Sequence, residues 1–144
     1  MILNLKALNE EMPYQHFKME TLQTALQLVT PNCFMASVDM KDAYFSIAVA
    51  EEHRKYLRFI WDDQLFQFTC LAQGACMAPR IFTKLLKPVV ATLRESGFIS
   101  SSFLDDSVLF GDTVSHCMQN VQETVGLLRK LGFIVHPTKS ALYP

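Results

Sequence analysis

The stretch Ser37-Val38-Asp39-Met40-Lys41-Asp42-Ala43-Tyr44-Phe45 carries an apolar, strand-like run into an aspartate, and Phe103-Leu104-Asp105-Asp106 does the same far downstream. Carboxylates at strand ends are poorly suited to burial and well suited to holding hard cations such as Mg²⁺. Two such turns could clamp two cations over one phosphate if the strand ending at Asp39 lies beside a hairpin over residues 98–110. An Asp-Asp pair alone is weak ground, because Asp is common in turns. Asp62-Asp63 also sits between two apolar runs, and composition does not separate it from Asp105-Asp106. Its plain reading is a solvated turn.

Around these stretches the periodicity predicts the rest. Met19, Leu22, Ala25, Leu26 and Val29 follow helical spacing, and Pro31-Asn32 ends that helix. Cys33 to Val38 reads as a buried strand, Tyr44 to Val49 as a bent or second extended piece, and Glu51 to Lys55 as a short helical turn. Strands over 56–61 and 65–70 form a hairpin. Pro79 opens a helix whose apolar stripe is Phe82, Leu85, Leu86, Val89, Val90 and Leu93, with a kink expected at Pro88 and an end at Gly97. Asp105-Asp106 is expected to be a two-residue turn, since Asp tolerates positive φ. Val114 to Leu128 forms another amphipathic helix, capped by Gly132, and residues 133–135 a last strand. Strands and helices mixed in this way imply an α+β fold, an antiparallel sheet with helices on one face.

The chain has 144 residues, half of them hydrophobic, which is enough for one domain with a sizeable core. It lacks a run of about 18 apolar residues, so no membrane span is expected. The first residues, Met1 to Lys6, lack the pattern of a secretory signal. Cys33, Cys70, Cys76 and Cys117 show no Cys-x-x-Cys spacing and read as reduced core thiols of an intracellular protein, cytoplasmic or nuclear. The net charge of −1, without a basic tail, argues against a self-sufficient nucleic-acid binder. It fits a catalytic subregion whose basic neighbours lie elsewhere. Arg54, Lys55 and Arg58 form one local basic cluster, either a solvated face or a template contact.

Four stretches in order carry a family resemblance. Residues 37–45 resemble the first palm motif of reverse transcriptases. Leu71-Ala72-Gln73-Gly74 with Ala78-Pro79-Arg80-Ile81-Phe82 resembles the second. Phe103-Leu104-Asp105-Asp106 resembles the aromatic-x-Asp-Asp hairpin, and Leu131-Gly132-Phe133 with Lys139-Ser140 resembles the fourth. Within that family, residues 2–9, His16 to Leu22 and Ala78 to Lys84 look most like DIRS-type retroelement polymerases.

The resemblance implies the palm subdomain of a right-hand polymerase, an RNA-directed DNA polymerase using two Mg²⁺ ions, or Mn²⁺, to join dNTPs to a primer 3′-hydroxyl on an RNA or DNA template. It implies Asp39, Asp105 and Asp106 as metal-binding aspartates and the Met40 carbonyl as a further ligand. It implies Tyr44 as a steric gate against a 2′-hydroxyl, the alternative being an ordinary half-buried Tyr. Gln73 and Gly74 match the loop that meets the incoming nucleotide, although Ala72 and Ala75-Cys76-Met77 depart from the usual pattern. Lys139 matches a lysine that assists proton transfer to pyrophosphate, and is otherwise a surface Lys in a loop. Asp42 reads as structural.

The expected domain is a partial reverse transcriptase domain over 1–144, the end of the fingers plus the palm, with primer grip, thumb and RNase H absent. Fingers and thumb would come from further chain or a partner. The alternative to an enzyme is a non-catalytic retroelement remnant or interaction module. Another palm-fold enzyme, such as a nucleotidyl cyclase, fits Tyr44 and the Gln73-Gly74 loop less well.

Overall fold

The computed structural model describes residues 3–144. Met1 and Ile2, the latter opening the first DIRS-like stretch, lie outside the described residues. The chain forms two compact units, one from the residues up to Phe17 with Asp42–Phe82, the other from Lys18–Lys41 with Thr83–Pro144.

In the first unit, helix α1 (Lys6–Glu11), which the apolar spacing did not announce, follows buried Leu5. Leu5 packs with Leu57 and Ala72, and Leu8, Val49, Phe68 and Ala75 close around them. Of the two alternatives at Tyr44, bent or extended, the chain takes the bent one, a 3₁₀ turn over Ala43–Ser46. Asp42, at φ 53°, reverses the chain before it. Phe45 N–H then donates to the Asp42 carbonyl and Ile47 N–H to the Tyr44 carbonyl, and extended pairing resumes only at the Ala48–Cys70 bridge. After α3 (Glu51–Arg54), strands β2 (Arg58–Trp61) and β3 (Gln64–Gln67) form the expected hairpin, with Trp61 opposite Gln64. Asp62 and Asp63, both left-handed at φ 50° and 55°, make its two-residue turn. Two positive φ values match the right-handed twist of a hairpin, and Asp tolerates them.

The second unit is built on an antiparallel sheet of order β4-β5-β1-β6, comprising β1 (Phe34–Lys41), β4 (Ser100–Phe103), β5 (Asp106–Gly111) and β6 (Ile134–Val135). Alternate residues of β1, namely Ala36, Val38 and Met40, are buried, the period-2 signature of a sheet covered on one face. The cover is α4 (Ala78–Glu95), from its second turn on, with α5 (Val114–Lys130). Leu86 and Val89 of α4 and Thr124 and Leu128 of α5 line one narrow void with Met40 and Ser107 of the sheet. The fold is thus the expected α+β sandwich.

Several details differ from the sequence reading. Leu85, assigned to the α4 stripe, is exposed. The helix expected from Met19 to Val29 shrinks to α2 (Leu22–Leu26), capped by Thr21. Leu22, Leu26 and Val29 are exposed, so no packing sustains a longer helix. Of the four cysteines only Cys117 is a core residue; Cys33 and Cys70 are half-buried and Cys76 is exposed. Gly97 and Gly132, at φ 87° and 89°, end α4 and α5 as expected. Among the described residues, no helix is long and apolar enough to cross a membrane.

Candidate functional site

The aspartates meet through strand register. Asp39, near the end of β1, lies directly opposite Asp106, the first residue of β5. Phe103 opposite Asp106 closes the β4–β5 hairpin. The turn is therefore Leu104-Asp105 and not Asp105-Asp106, and the residue with positive φ (55°) is Leu104. A left-handed Leu is sterically costly. The one-residue offset is what separates the two Asp pairs. Asp62 and Asp63 are both turn residues, whereas Asp106 is a strand residue with a cross-strand carboxylate partner.

Two bonds fix the other side of Asp39, and a third ties Met40 to the hairpin. Its N–H donates to Ser140 Oγ at 3.0 Å, its carbonyl accepts from His136 N–H at 2.8 Å, and Met40 N–H donates to the Asp105 carbonyl at 2.9 Å. The N–H and C=O of one strand residue point the same way, so the Met40 carbonyl also faces the Asp105 turn. Ser37 and Ala141 form a bridge just behind. Sequence reading quoted Ser140 but missed its role as a brace. No local pattern signals a bond between residues 101 apart.

The electrostatics follow from this geometry. The Asp106 carboxyl is raised above the ordinary carboxylate value. Partial burial contributes most, then the Asp105 charge, then the hydrogen bond and charge of Asp39, while exposed Lys139 opposes them. Asp39, Asp105, Asp106, Met40 and Lys139 are thus brought to one end of the four-stranded sheet. The donors are oxygens, the chemistry that hard divalent cations prefer, and the charge is unbalanced. Yet among the described residues no three His, Cys, Asp or Glu side chains converge as a finished cation cluster. The donor set fits a divalent cation in chemistry and charge.

Tyr44, Gln73 and Gly74 belong to the first unit. Tyr44 is half-buried and meets Phe82 edge-on, ring centres 5.5 Å apart. Gln73 and Gly74 are exposed at a turn where Gly74 adopts φ 104°, a conformation that favours glycine. Asn9, quoted in the sequence only as the end of the stretch 2–9, reaches this turn. Its Nδ2 donates to the Gly74 carbonyl at 2.9 Å, and its Oδ1 accepts from Cys76 N–H at 2.8 Å.

A second polar network holds the outer strand of the sheet. Glu20 accepts from Arg94 at 2.6 Å and from Ser102 N–H at 2.9 Å, and Arg94 also donates to the Ser100 carbonyl. Burial alone would raise the Glu20 carboxyl. Hydrogen bonds from Arg94, Ser101 and Ser102, with the Arg94 charge, outweigh it and hold the group below the ordinary value.

Comparison with known proteins places these features in context. The profile of the family described as "Reverse transcriptase (RNA-dependent DNA polymerase)" matches residues 1–144. The chain is 24% identical over 139 residues to Polyprotein P3 of Commelina yellow mottle virus, covering 96% of this chain and 7% of that protein. It is 26% identical over 151 residues to the Gag-Pol polyprotein of Avian reticuloendotheliosis virus, covering 99% of this chain and 13% of that one. Its fold is similar to a foamy viral protease-reverse transcriptase solved in complex with double-stranded DNA. There the TM-score is 0.88 at 22% identity, over 100% of this chain and 25% of that one. The chain thus spans a small fraction of the length of the proteins it matches.

Proposed function

This chain belongs to the reverse transcriptase family, matched along residues 1–144, and on that premise we propose that it is the palm of a retroelement RNA-directed DNA polymerase. The reaction would join a dNTP to a primer 3′-hydroxyl. The observation that carries this reading is Asp39 facing Asp106 across β1 and β5, beside Asp105. Like charges directly opposite on a sheet destabilise it. A cation would balance a trio held at an exposed strand end.

In this reading Asp39, Asp105 and Asp106, with the Met40 carbonyl, hold two Mg²⁺ ions, with Mn²⁺ as a substitute. Bound there, the ions supply charge neutralisation on the triphosphate and a more acidic primer hydroxyl. The braces from Ser140 and His136 orient Asp39 before any cation arrives. Lys139, whose charge already reaches Asp106, is the proton donor to pyrophosphate. Tyr44, backed by Phe82, is the gate against a 2′-hydroxyl, and Gln73 and Gly74 meet the nucleotide.

The partners in this reading are an RNA or DNA template with its primer, in line with the double-stranded DNA bound by the foamy viral neighbour. The chain is read as a partial domain, the end of the fingers plus the palm, and further chain or a partner would supply finger and thumb contacts. The DIRS-type assignment rests on the three stretches quoted above and is part of this proposal.

One observation favours a second reading, a non-catalytic retroelement remnant: the absence of a finished cation cluster among the described residues. Primer extension on an RNA template, with Mg²⁺ or Mn²⁺ and each dNTP, decides between them. Extension that disappears in Asp105→Ala/Asp106→Ala supports the polymerase. Extension that persists in that variant refutes the assigned site, and none in the wild-type chain favours the remnant.

A further inference from the structure

We propose that Asn9 is a positioning residue that holds the Gln73-Gly74 turn in the shape that receives a nucleotide. The proposal rests on the reading that this turn meets the incoming dNTP. Asn9 lies 65 residues from Gly74 in sequence, yet its amide uses both ends on the turn, as donor to the Gly74 carbonyl and as acceptor from Cys76 N–H. The backbone of the turn itself is loosely closed. Its own closing bond, Ala75 N–H to the Ala72 carbonyl, is long at 3.3 Å. Packing holds the two ends of the turn, Ala72 and Ala75, against Leu5 and Leu57, and beside it opens a recess of about 390 Å³ lined by Asn9, Ile47, Leu71, Ala72, Ala75 and Met77 among others, so the exposed Gln73-Gly74 stretch between those ends relies on polar bonds.

The brace itself is anchored. Asn9 N–H donates to the carbonyl of buried Leu5 at 2.8 Å, and Leu5 packs with Ala72 at the root of the same turn. Residue type matters at this position. A primary amide carries a donor NH₂ and an acceptor oxygen on one carbon, which matches a carbonyl and an N–H two residues apart. An Asp offers acceptors only, and would set a charge against the Gly74 carbonyl. An Ala offers neither group. The bracing occupies the Gly74 carbonyl and leaves the exposed Gln73 side chain to meet a ligand.

Two measurements on the whole chain test this: amide hydrogen exchange over residues 72–77, and equilibrium titration with dTTP and Mg²⁺. Asn9→Ala, Asn9→Asp and Gln73→Ala are compared with wild type. In Asn9→Ala, Cys76 amide exchange should speed up, and dTTP affinity should fall about ten- to thirtyfold, as for the loss of two ordinary hydrogen bonds. Asn9→Asp keeps the acceptor for Cys76, so that amide should stay protected while dTTP affinity still falls. Gln73→Ala should weaken dTTP binding with unchanged exchange.

Wild-type exchange at Cys76 in Asn9→Ala overturns the brace. Faster exchange with unchanged dTTP affinity overturns the positioning role. Wild-type chain that binds dTTP no better than Gln73→Ala overturns the nucleotide reading, and with it the role given to Asn9. Should Asn9→Ala fail to fold, Asn9→Asp carries the test, and dTTP affinity unchanged in that variant also overturns the proposal.

Discussion

Truncating Asn120 should weaken the unit that carries the acidic site. Asn120 is fully buried in α5. Its Nδ2 donates to the Ile99 carbonyl at 2.8 Å and to the Phe110 carbonyl at 3.0 Å, and its Oδ1 accepts from Thr124 Oγ1 at 3.1 Å. It therefore ties α5 to the base of the β4–β5 hairpin, whose tip bears Asp105. Asn120→Ala removes two bonds to backbone carbonyls, each worth about 1 kcal/mol net. The void left by the amide costs about 1 kcal/mol more. The Thr124 hydroxyl can turn to the carbonyl one helical turn back, so it adds little. The total is about 3 kcal/mol, or roughly 6–12 °C in Tm for a chain of this size.

Urea unfolding followed by far-UV circular dichroism measures that change. A loss under about 1 kcal/mol would refute the inference that Asn120 locks the hairpin to the helix. Asn120→Asp adds a sign test. A buried carboxyl facing two carbonyls has a raised folded pKa, so this variant should be most stable at pH below the ordinary carboxylate range and lose stability as pH rises through the raised value. A pH-independent deficit would contradict the geometry.

Other perturbations have equally definite outcomes. Gly111→Ala would place a Cβ 2.7 Å from Cys117 Cα and still closer to Cys117 N, atoms that cannot rotate away. A loss of about 3 kcal/mol in the same unfolding assay is expected, and a wild-type midpoint would show that β5 and α5 sit further apart. Asp106→Asn should stabilise the chain by about 0.5 kcal/mol, since it removes carboxylate repulsion at a largely exposed site. The raised Asp106 carboxyl favours folding below the ordinary carboxylate range and disfavours it as pH rises through its folded value, so this variant should also flatten that slope. Mg²⁺ should raise the melting temperature of wild type and not of Asp106→Asn; an equal rise in both would place the cation elsewhere. Glu20→Gln should cost about 1 kcal/mol by loosening Arg94 and the β4 edge. Because the Glu20 carboxyl is lowered, its contribution is present above the ordinary carboxylate range and should vanish as pH falls through the lowered value. Chemical-denaturation midpoints across acid pH would check this, and a deficit that grows toward low pH would contradict it.

What the sequence made legible is what local pattern encodes. The period-2 run into Asp39, the aromatic-x-Asp-Asp stretch and the helical stripes over 82–93 and 114–128 announced an α+β sheet with acidic strand ends. The gaps and errors share a different physical cause. Asp42 redirects the chain by one left-handed residue, which no hydrophobic period reports, so the pattern alone leaves Tyr44 open between a bent and an extended piece where it sits in a 3₁₀ turn. The 104–105 turn strains a Leu and leaves Asp106 in the strand, whereas intrinsic preference assigned the positive φ to Asp. That inversion favours the site over the backbone. With Asp106 in the turn, its carboxylate would lose the register that sets it against Asp39. The left-handed Leu104 instead costs local strain and keeps the two carboxylates opposed, a combination expected where function competes with stability. The braces, Ser140 on Asp39 and Asn9 on Gly74, were illegible for a related reason. They are single polar side chains acting across 101 and 65 residues, and a hydrogen bond closed only by the tertiary fold leaves no period behind.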